Sequence, residues 1–150
     1  MTWDSDQQRR LAMEQWVLSS EFPDFTFHDR TGNTFVSGAW ESNGNNSYGL
    51  RVELPQGFPD ECPSTYVTWP SPLYDYARRK KMESYGHSHA MHTWTTDHPG
   101  WVKICTYHPS HWSAQQTIAK VITKATLWIL AYECHLDDGT DIKYFLKDSS

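Results

Sequence analysis

Three features are scarce in this 150-residue sequence: long apolar runs, cysteines and positive charge. No apolar run approaches the ~18 residues of a bilayer-spanning helix, and the first ten residues, MTWDSDQQRR, are too polar for a secretory signal. The three cysteines, Cys62, Cys105 and Cys134, are odd in number and far apart. Free thiols in a reducing compartment are therefore expected, not a disulfide framework. We expect a cytoplasmic protein with no membrane partner.

Positively charged residues are fewer than negatively charged ones: the 13 Lys and Arg and the 18 Asp and Glu give a formal net charge of −5. Nucleic-acid binding depends on clustered cations that neutralise phosphates, so nucleic acid is not expected as the main partner. Only the segment Arg78–Lys81 places four cations in succession. Most such runs are simply solvated, and a docking face for an acidic partner is the functional alternative.

The pattern of apolar and turn residues predicts one α+β domain over residues 1–150. Apolar residues recur at helical spacing over 4–20, with Asp4 or Ser5 as the cap. Four strand-like runs follow, FTFH, TFVSGAW, SYGLRVEL and STYVTW, and turn residues separate them. This spacing favours a four-stranded antiparallel meander behind an N-terminal helix.

Residues 70–112 contain no long periodic run of apolar residues, but they hold six of the eight histidines. A loop of this length in a compact domain is usually functional or disordered, and the aromatic residues argue against disorder. A long second helix is predicted from a capping box at Ser113 and Gln116 to a C-cap at Gly139. The final run, DIKYFL, is strand-like.

Cys105 is the candidate of greatest chemical interest. The stretch WVKICTYHPSHW places it at the end of a short apolar run, with His108 and His111 just after it. It is open to three interpretations: a small buried residue, a metal ligand or a nucleophile. Cys62 precedes a proline in a turn and Cys134 lies on the second helix, so both are interpreted as structural.

With the elements in this order, the sequence resembles the ubiquitin-conjugating enzyme family over residues 5–140. The phrase YGLRVELPQGFPDECPSTYVTW is similar to that family's third strand, its Tyr-Pro-like turn and its fourth strand. KICTYHPSHW resembles the family's Ile-Cys and downstream Trp, and WSAQQTIAKVI resembles the helix after the active site. ECHLDDG is similar to the segment beyond that helix.

The resemblance implies that Cys105 accepts the C-terminal glycine of a ubiquitin-like protein as a thioester and passes it to an amine. An activating enzyme would supply this cargo. A thiolate is both a good nucleophile and a good leaving group, so acyl transfer onto and off the sulfur are feasible. The resemblance also implies that Asp137 or Asp138 orients the amine or accepts its proton. The alternative for these aspartates is a solvated turn at the end of the helix.

The chain lacks the family's His-Pro-Asn signature, whose asparagine stabilises the oxyanion. All four asparagines of the chain lie between Asn33 and Asn46, in the early strands and turns. HAMHTW occupies the corresponding place, so His92 is the first replacement candidate and His89 the second. A neutral imidazole can donate an N–H to the oxyanion or take the amine proton. His108 and His111 are secondary candidates.

This departure is typical of bacterial relatives. Some of these lie in antiphage operons, where the conjugated C-terminus can belong to a cyclic-nucleotide-producing nucleotidyltransferase. We therefore expect a thioester-forming transferase, with no cofactor or metal, that passes its cargo to an amine or a thiol. Its partner is a ubiquitin-like protein or such a nucleotidyltransferase C-terminus.

Two rival functions remain open. His87, His89 and Asp97 resemble the His-x-His…Asp set of the zinc isopeptidases that remove ubiquitin, although the spacing to the aspartate is short and the intervening serine is absent. The other rival is a non-catalytic module of the same fold that binds a ubiquitin-like protein or another partner without a working cysteine.

Overall fold

The N-terminal helix, the antiparallel sheet and the C-terminal helix follow one another along the chain in the computed structural model, which describes residues 2–146. The helices are α1 (Ser5–Glu21) and α2 (Ile118–Asp138). The strands are β1 (Thr26–His28), β2 (Phe35–Glu41), β3 (Ser47–Glu53), β4 (Ser64–Trp69), β5 (Thr93–Trp94) and β6 (Val102–Ile104). Short 3₁₀ helices lie at Tyr76–Arg78, Met82–Tyr85, Pro109–His111 and Ile142–Phe145.

The sheet has the order β1-β2-β3-β4-β6-β5, and every neighbouring pair is antiparallel. On β3 the residues Tyr48, Leu50 and Val52 are buried, and the residues between them are partly exposed, as expected for a strand with one core-facing side. The α+β class is confirmed. The sheet has six strands where the sequence predicted four, because two short segments of the 70–112 loop add β5 and β6.

Helix α1 begins where its cap predicts. The Asp4 carboxylate accepts a hydrogen bond from the Gln7 backbone N–H at 2.8 Å, and the Gln7 side chain accepts one from the Asp4 N–H at 3.0 Å. These reciprocal bonds satisfy two donors at the helix start. Leu11 and Leu18 are buried in the core, but Trp16 on the same helix is 76 % exposed.

Helix α2 begins later than predicted. Its N-cap is Thr117, whose hydroxyl accepts a hydrogen bond from the Lys120 N–H at 3.1 Å. The predicted capping box at Ser113 and Gln116 is wrong, because the Gln116 side chain instead accepts a hydrogen bond from the Tyr107 hydroxyl at 3.0 Å. The helix ends as predicted, at Gly139 in the left-handed conformation that suits glycine.

The predicted strand at DIKYFL is also wrong. Ile142–Phe145 forms a 3₁₀ helix, and the side chain of Ile142 is completely buried. The Lys143 N–H donates to the Ala90 carbonyl at 2.9 Å, so this segment is attached to the histidine-rich loop and not to a sheet edge. No helix within residues 2–146 has the length and apolarity needed to cross a membrane.

One buried carboxylate joins the two helices. Glu14 of α1 is 0 % exposed, accepts a hydrogen bond from the Ile118 backbone N–H at 2.7 Å and pairs with Arg10 at 2.7 Å. Arg10 also donates to the Gln116 carbonyl at 2.8 Å. A carboxylate beside the first N–H groups of a helix is favourable because those donors have no partner within the helix. This pair therefore fixes the start of α2 against α1.

We predict that Glu14→Ala lowers the free energy of unfolding by about 2–3 kcal/mol, because it leaves a buried N–H and the Arg10 guanidinium without their anionic partner. Urea unfolding followed by circular dichroism would measure the change. Glu21→Ala, at an exposed position of the same helix, is the matched control and should change stability little. Equal stabilities of the two variants would contradict this role of Glu14.

Candidate functional site

The backbone brings Cys105 next to His92. Strands β5 and β6 pair Thr93 with Ile104, and the next step of this ladder is a hydrogen bond of 2.8 Å from the Cys105 N–H to the His92 carbonyl. Strand β6 also pairs with β4, where Ile104 lies opposite Thr65. The cysteine is therefore held at the end of a strand that is anchored in the sheet.

A cavity of about 180 Å³ surrounds this pair. Cys105 and all four histidines that the sequence analysis named as oxyanion candidates line it, together with further residues of the same loop. The lining residues are His87, Ser88, His89, His92, Thr93, Trp94, Cys105, His108 and His111. The fold therefore collects two sequence-distant histidine clusters around one thiol.

Trp94 forms the wall between this cavity and a neighbouring cleft. Its ring stacks on His87 at a centroid distance of 4.6 Å and lies 5.9 Å from the ring of His108. The neighbouring cleft, of about 390 Å³, also contains His87 and Trp94, and it reaches Cys62. The sequence did not indicate that Trp94 borders both spaces.

Burial controls the ionisation of Cys105. The residue is half-buried, and this burial raises the pKa of its thiol above the ordinary value. A hydrogen bond from the Trp94 side chain and the positive charge of Lys124 on α2 act in the opposite direction, but they do not outweigh burial. At neutral pH the resting group is thus the protonated thiol. Lys124, like Trp94, was not identified from the sequence.

Burial also controls His92. Only 8 % of its surface is exposed, and burial together with the neighbouring His89 lowers the pKa of its imidazole. The two rings lie 5.6 Å apart between centroids. His92 is therefore neutral at neutral pH, with one nitrogen that donates and one that accepts. Its backbone has a φ of 52°, in the left-handed region, where the turn after β-bridge residue Ser88 reverses the chain.

The aspartates near the end of α2 are not part of this cavity. The Asp138 carboxylate is exposed and accepts a hydrogen bond from the Thr140 N–H at 3.0 Å, which lowers the pKa of that carboxyl group. Asp137 is exposed on the same last turn. Lys124 is the α2 residue whose charge reaches Cys105, and Asp138 lies about 21 Å farther along the helix axis at ~1.5 Å per residue. This geometry favours the helix-ending turn as their role.

The residues of the zinc interpretation are not assembled. Asp97 accepts a hydrogen bond from the Tyr66 hydroxyl at 2.6 Å and does not line the cavity that contains His87 and His89. Across residues 2–146, no three His, Cys, Asp or Glu side chains are grouped so that they could hold a metal ion. The third ligand of the predicted set is therefore missing from the histidine cavity.

Comparison with protein-family models, with curated proteins and with solved structures found no match to this chain. The resemblance to ubiquitin-conjugating enzymes thus remains an interpretation of the sequence. The thiol, the imidazoles and their arrangement are the features from which a function can be inferred.

We predict that iodoacetamide alkylates Cys105 slowly at neutral pH, and that the rate continues to rise above the pKa of an ordinary thiol, because burial disfavours the thiolate. Lys124→Met should shift this profile to higher pH, since it removes a cation that stabilises the thiolate. Mass spectrometry of the Cys105 peptide over a pH series would measure the rates.

Two other cysteines serve as internal references in the same samples. Cys134 is exposed and reports that the reagent is active. Cys62 is the reference for a buried thiol, because burial first, and then the nearby charge of Cys105, raise its pKa to about 11. A Cys105 profile with its midpoint below that of an ordinary thiol would contradict the prediction.

Proposed function

We propose that this chain is a ubiquitin-conjugating-like acyltransferase that carries a protein C-terminus as a thioester on Cys105. The observation that supports it most is the 2.8 Å bond between the Cys105 N–H and the His92 carbonyl, which holds a thiol and a neutral imidazole in the same cavity. The cargo is a ubiquitin-like protein or the C-terminus of a nucleotidyltransferase, the setting is bacterial antiphage defence in the cytoplasm, and an activating enzyme supplies the acyl group.

In the loading step, the Cys105 sulfur attacks the activated carbonyl of the cargo. The new C–S bond forms as the bond to the leaving group breaks, and the thiol proton passes to a neutral imidazole. A base is needed because burial raises the pKa of this thiol. His89 is the candidate for this base, since it lines the cavity beside His92.

In the discharge step, an amine attacks the thioester carbon and forms a tetrahedral oxyanion. An imidazole N–H of His92 replaces the asparagine of the family as the oxyanion donor. Collapse breaks the C–S bond and expels the Cys105 thiolate, while the proton of the amine passes to a cavity histidine. The charge of Lys124 and the hydrogen bond from Trp94 stabilise the departing thiolate.

The second candidate function is a non-catalytic module that binds the same cargo. The raised pKa of the half-buried Cys105 favours it, because a protonated thiol is a weak nucleophile. Such a module would bind cargo equally well after Cys105→Ser and would form no covalent product.

The decisive test is formation of the thioester. Incubation with an activating enzyme, ATP and cargo should give an adduct that a reductant cleaves, and Cys105→Ala should abolish it. Cys134→Ala, which removes an exposed thiol, is the matched control and should leave the adduct unchanged. Intact-mass spectrometry would measure it, and an adduct that persists in Cys105→Ala would refute the assignment.

We predict that His92→Ala slows discharge of a loaded Cys105 to lysine by about a hundredfold, the usual effect of losing an oxyanion donor, and slows loading less. Single-turnover gel assays would measure both steps. His28→Ala, on β1, is the control for loss of a histidine outside the cavity. Equal losses in both steps would point to misfolding or lost docking.

The same assay has an expected pH dependence. Because burial lowers the pKa of His92, its imidazole stays neutral as the pH falls through ~6.5, the ordinary pKa of histidine. After correction for protonation of the amine, discharge by the native chain should hold through this range. It should decline only at lower pH, where protonation of His92 removes the free ring nitrogen that can take the proton of the amine. A decline centred above ~6.5 would contradict the assignment of His92.

A further inference from the structure

Four successive cations, Arg78, Arg79, Lys80 and Lys81, are exposed on one small hairpin, and the proposed transfer reaction does not use them. We refer to them as the basic platform. The hairpin is closed by a bridge between Tyr74 and Lys81. Below that bridge, the Met82 N–H donates to the Leu73 carbonyl at 2.9 Å. Leu73 and Met82 are both buried, so the hairpin is anchored in the core.

Three of the platform cations lie over tyrosine rings. Arg78 lies 4.1 Å from the ring centroid of Tyr74, and Lys80 lies 3.8 Å from that of Tyr85. Arg79 lies 5.6 Å from the ring centroid of Tyr76. Cation–π contacts leave the outer N–H groups free for an anion and restrict the rotamers of long side chains. Part of the entropy cost of ordering these side chains on binding is therefore already met.

The backbone of the platform is equally fixed. Asp75 is 1 % exposed, and its carboxylate accepts hydrogen bonds from the Lys80 N–H and the Tyr85 hydroxyl, each at 2.8 Å. The Tyr76 N–H donates to the His135 ring on α2 at 3.1 Å. Ala77 has a φ of 61°, in the left-handed region that side chains other than glycine rarely adopt. Such a conformation persists because the surrounding bonds hold it.

The chemistry of the platform identifies its partner. Exposed guanidinium and ammonium groups bind carboxylates and phosphates. The rest of the chain is even more acidic than the net charge of −5, since four of the 13 cations lie in this one hairpin. A nucleic acid would extend over this acidic surface and be repelled, whereas a short acidic peptide can contact the platform alone.

We propose that the basic platform binds an acidic segment, rich in Asp and Glu, of a partner protein. This interaction is independent of the thioester chemistry at Cys105. The platform lies near the His135 end of α2, and Trp128 of the same helix donates to the Met91 carbonyl of the histidine loop at 3.0 Å. These two points are about 10 Å apart along the helix axis, so the platform hairpin and the histidine loop are attached to the same helix.

The test is binding of a fluorescein-labelled octaglutamate peptide, measured by anisotropy at an ionic strength of about 0.15 M. The native chain should bind it and should not bind an octaglutamine peptide. Replacing Arg78, Arg79 and Lys80 together by Gln should weaken binding about tenfold or more. The matched control replaces three exposed cations elsewhere, Arg9, Arg30 and Lys120, and should bind as the native chain does.

A second pair of variants avoids the cation–π contacts. Lys81→Glu reverses one platform charge, and Lys120→Glu reverses one exposed charge on α2. Only Lys81→Glu should weaken binding of octaglutamate, and Cys105→Ala should bind it like the native chain. Equal binding by Lys81→Glu and Lys120→Glu would overturn the proposal. A labelled oligothymidylate that binds the platform more tightly than octaglutamate at the same salt would also overturn it, in favour of nucleic acid.

Discussion

The hydrogen bond from the Cys105 N–H to the His92 carbonyl is the interaction on which the candidate site depends. At 2.8 Å it extends the pairing of β5 and β6 by one step, and the two residues that it joins both line one cavity. Without it, the turn that carries His92 would be linked to β6 by only two residue pairs. The sheet thus determines the geometry of the site, because β6 is paired with β4 on its other edge.

Burial shifts the pKa values of Cys105 and His92 in opposite directions, and both shifts favour the neutral form. It raises the pKa of Cys105 and lowers the pKa of His92, so both shifts favour a neutral thiol beside a neutral imidazole over a thiolate–imidazolium pair. In the proposed reaction, proton transfer would therefore accompany the attack on the acyl group instead of preceding it. A protonated thiol is also less readily oxidised than a thiolate, so burial protects the resting Cys105 from oxidation. The hydrogen bond from Trp94 and the charge of Lys124 reduce the free-energy cost of forming the Cys105 thiolate.

The sequence predicted those parts of the fold that short-range signals determine. Asp4, one of the two predicted caps, begins α1, and Gly139 ends α2 as predicted, because both ends are set by local backbone chemistry. The start of α2 was misplaced because Gln116 is used by Tyr107, a tertiary contact that local spacing does not reveal. Strands β5 and β6 are only two and three residues long, too short for an alternating pattern, and pairing partners alone define them. The final segment was misassigned for the same reason, since its anchor lies in the histidine loop.

The residues of the candidate site also fall into those that the sequence reveals and those that only the structure reveals. Cys105 and the histidines could be named because their chemistry is visible in the residue types, whereas Trp94 and Lys124 act through position. Lys124 belongs to α2, and this helix also contacts the histidine loop through Trp128 and the basic platform through His135. A helix of 21 residues is stiff along its axis, so these three contacts keep a constant spacing. Helix α2 therefore holds the Lys124 cation, the histidine loop and the hairpin of the platform at fixed positions along one axis.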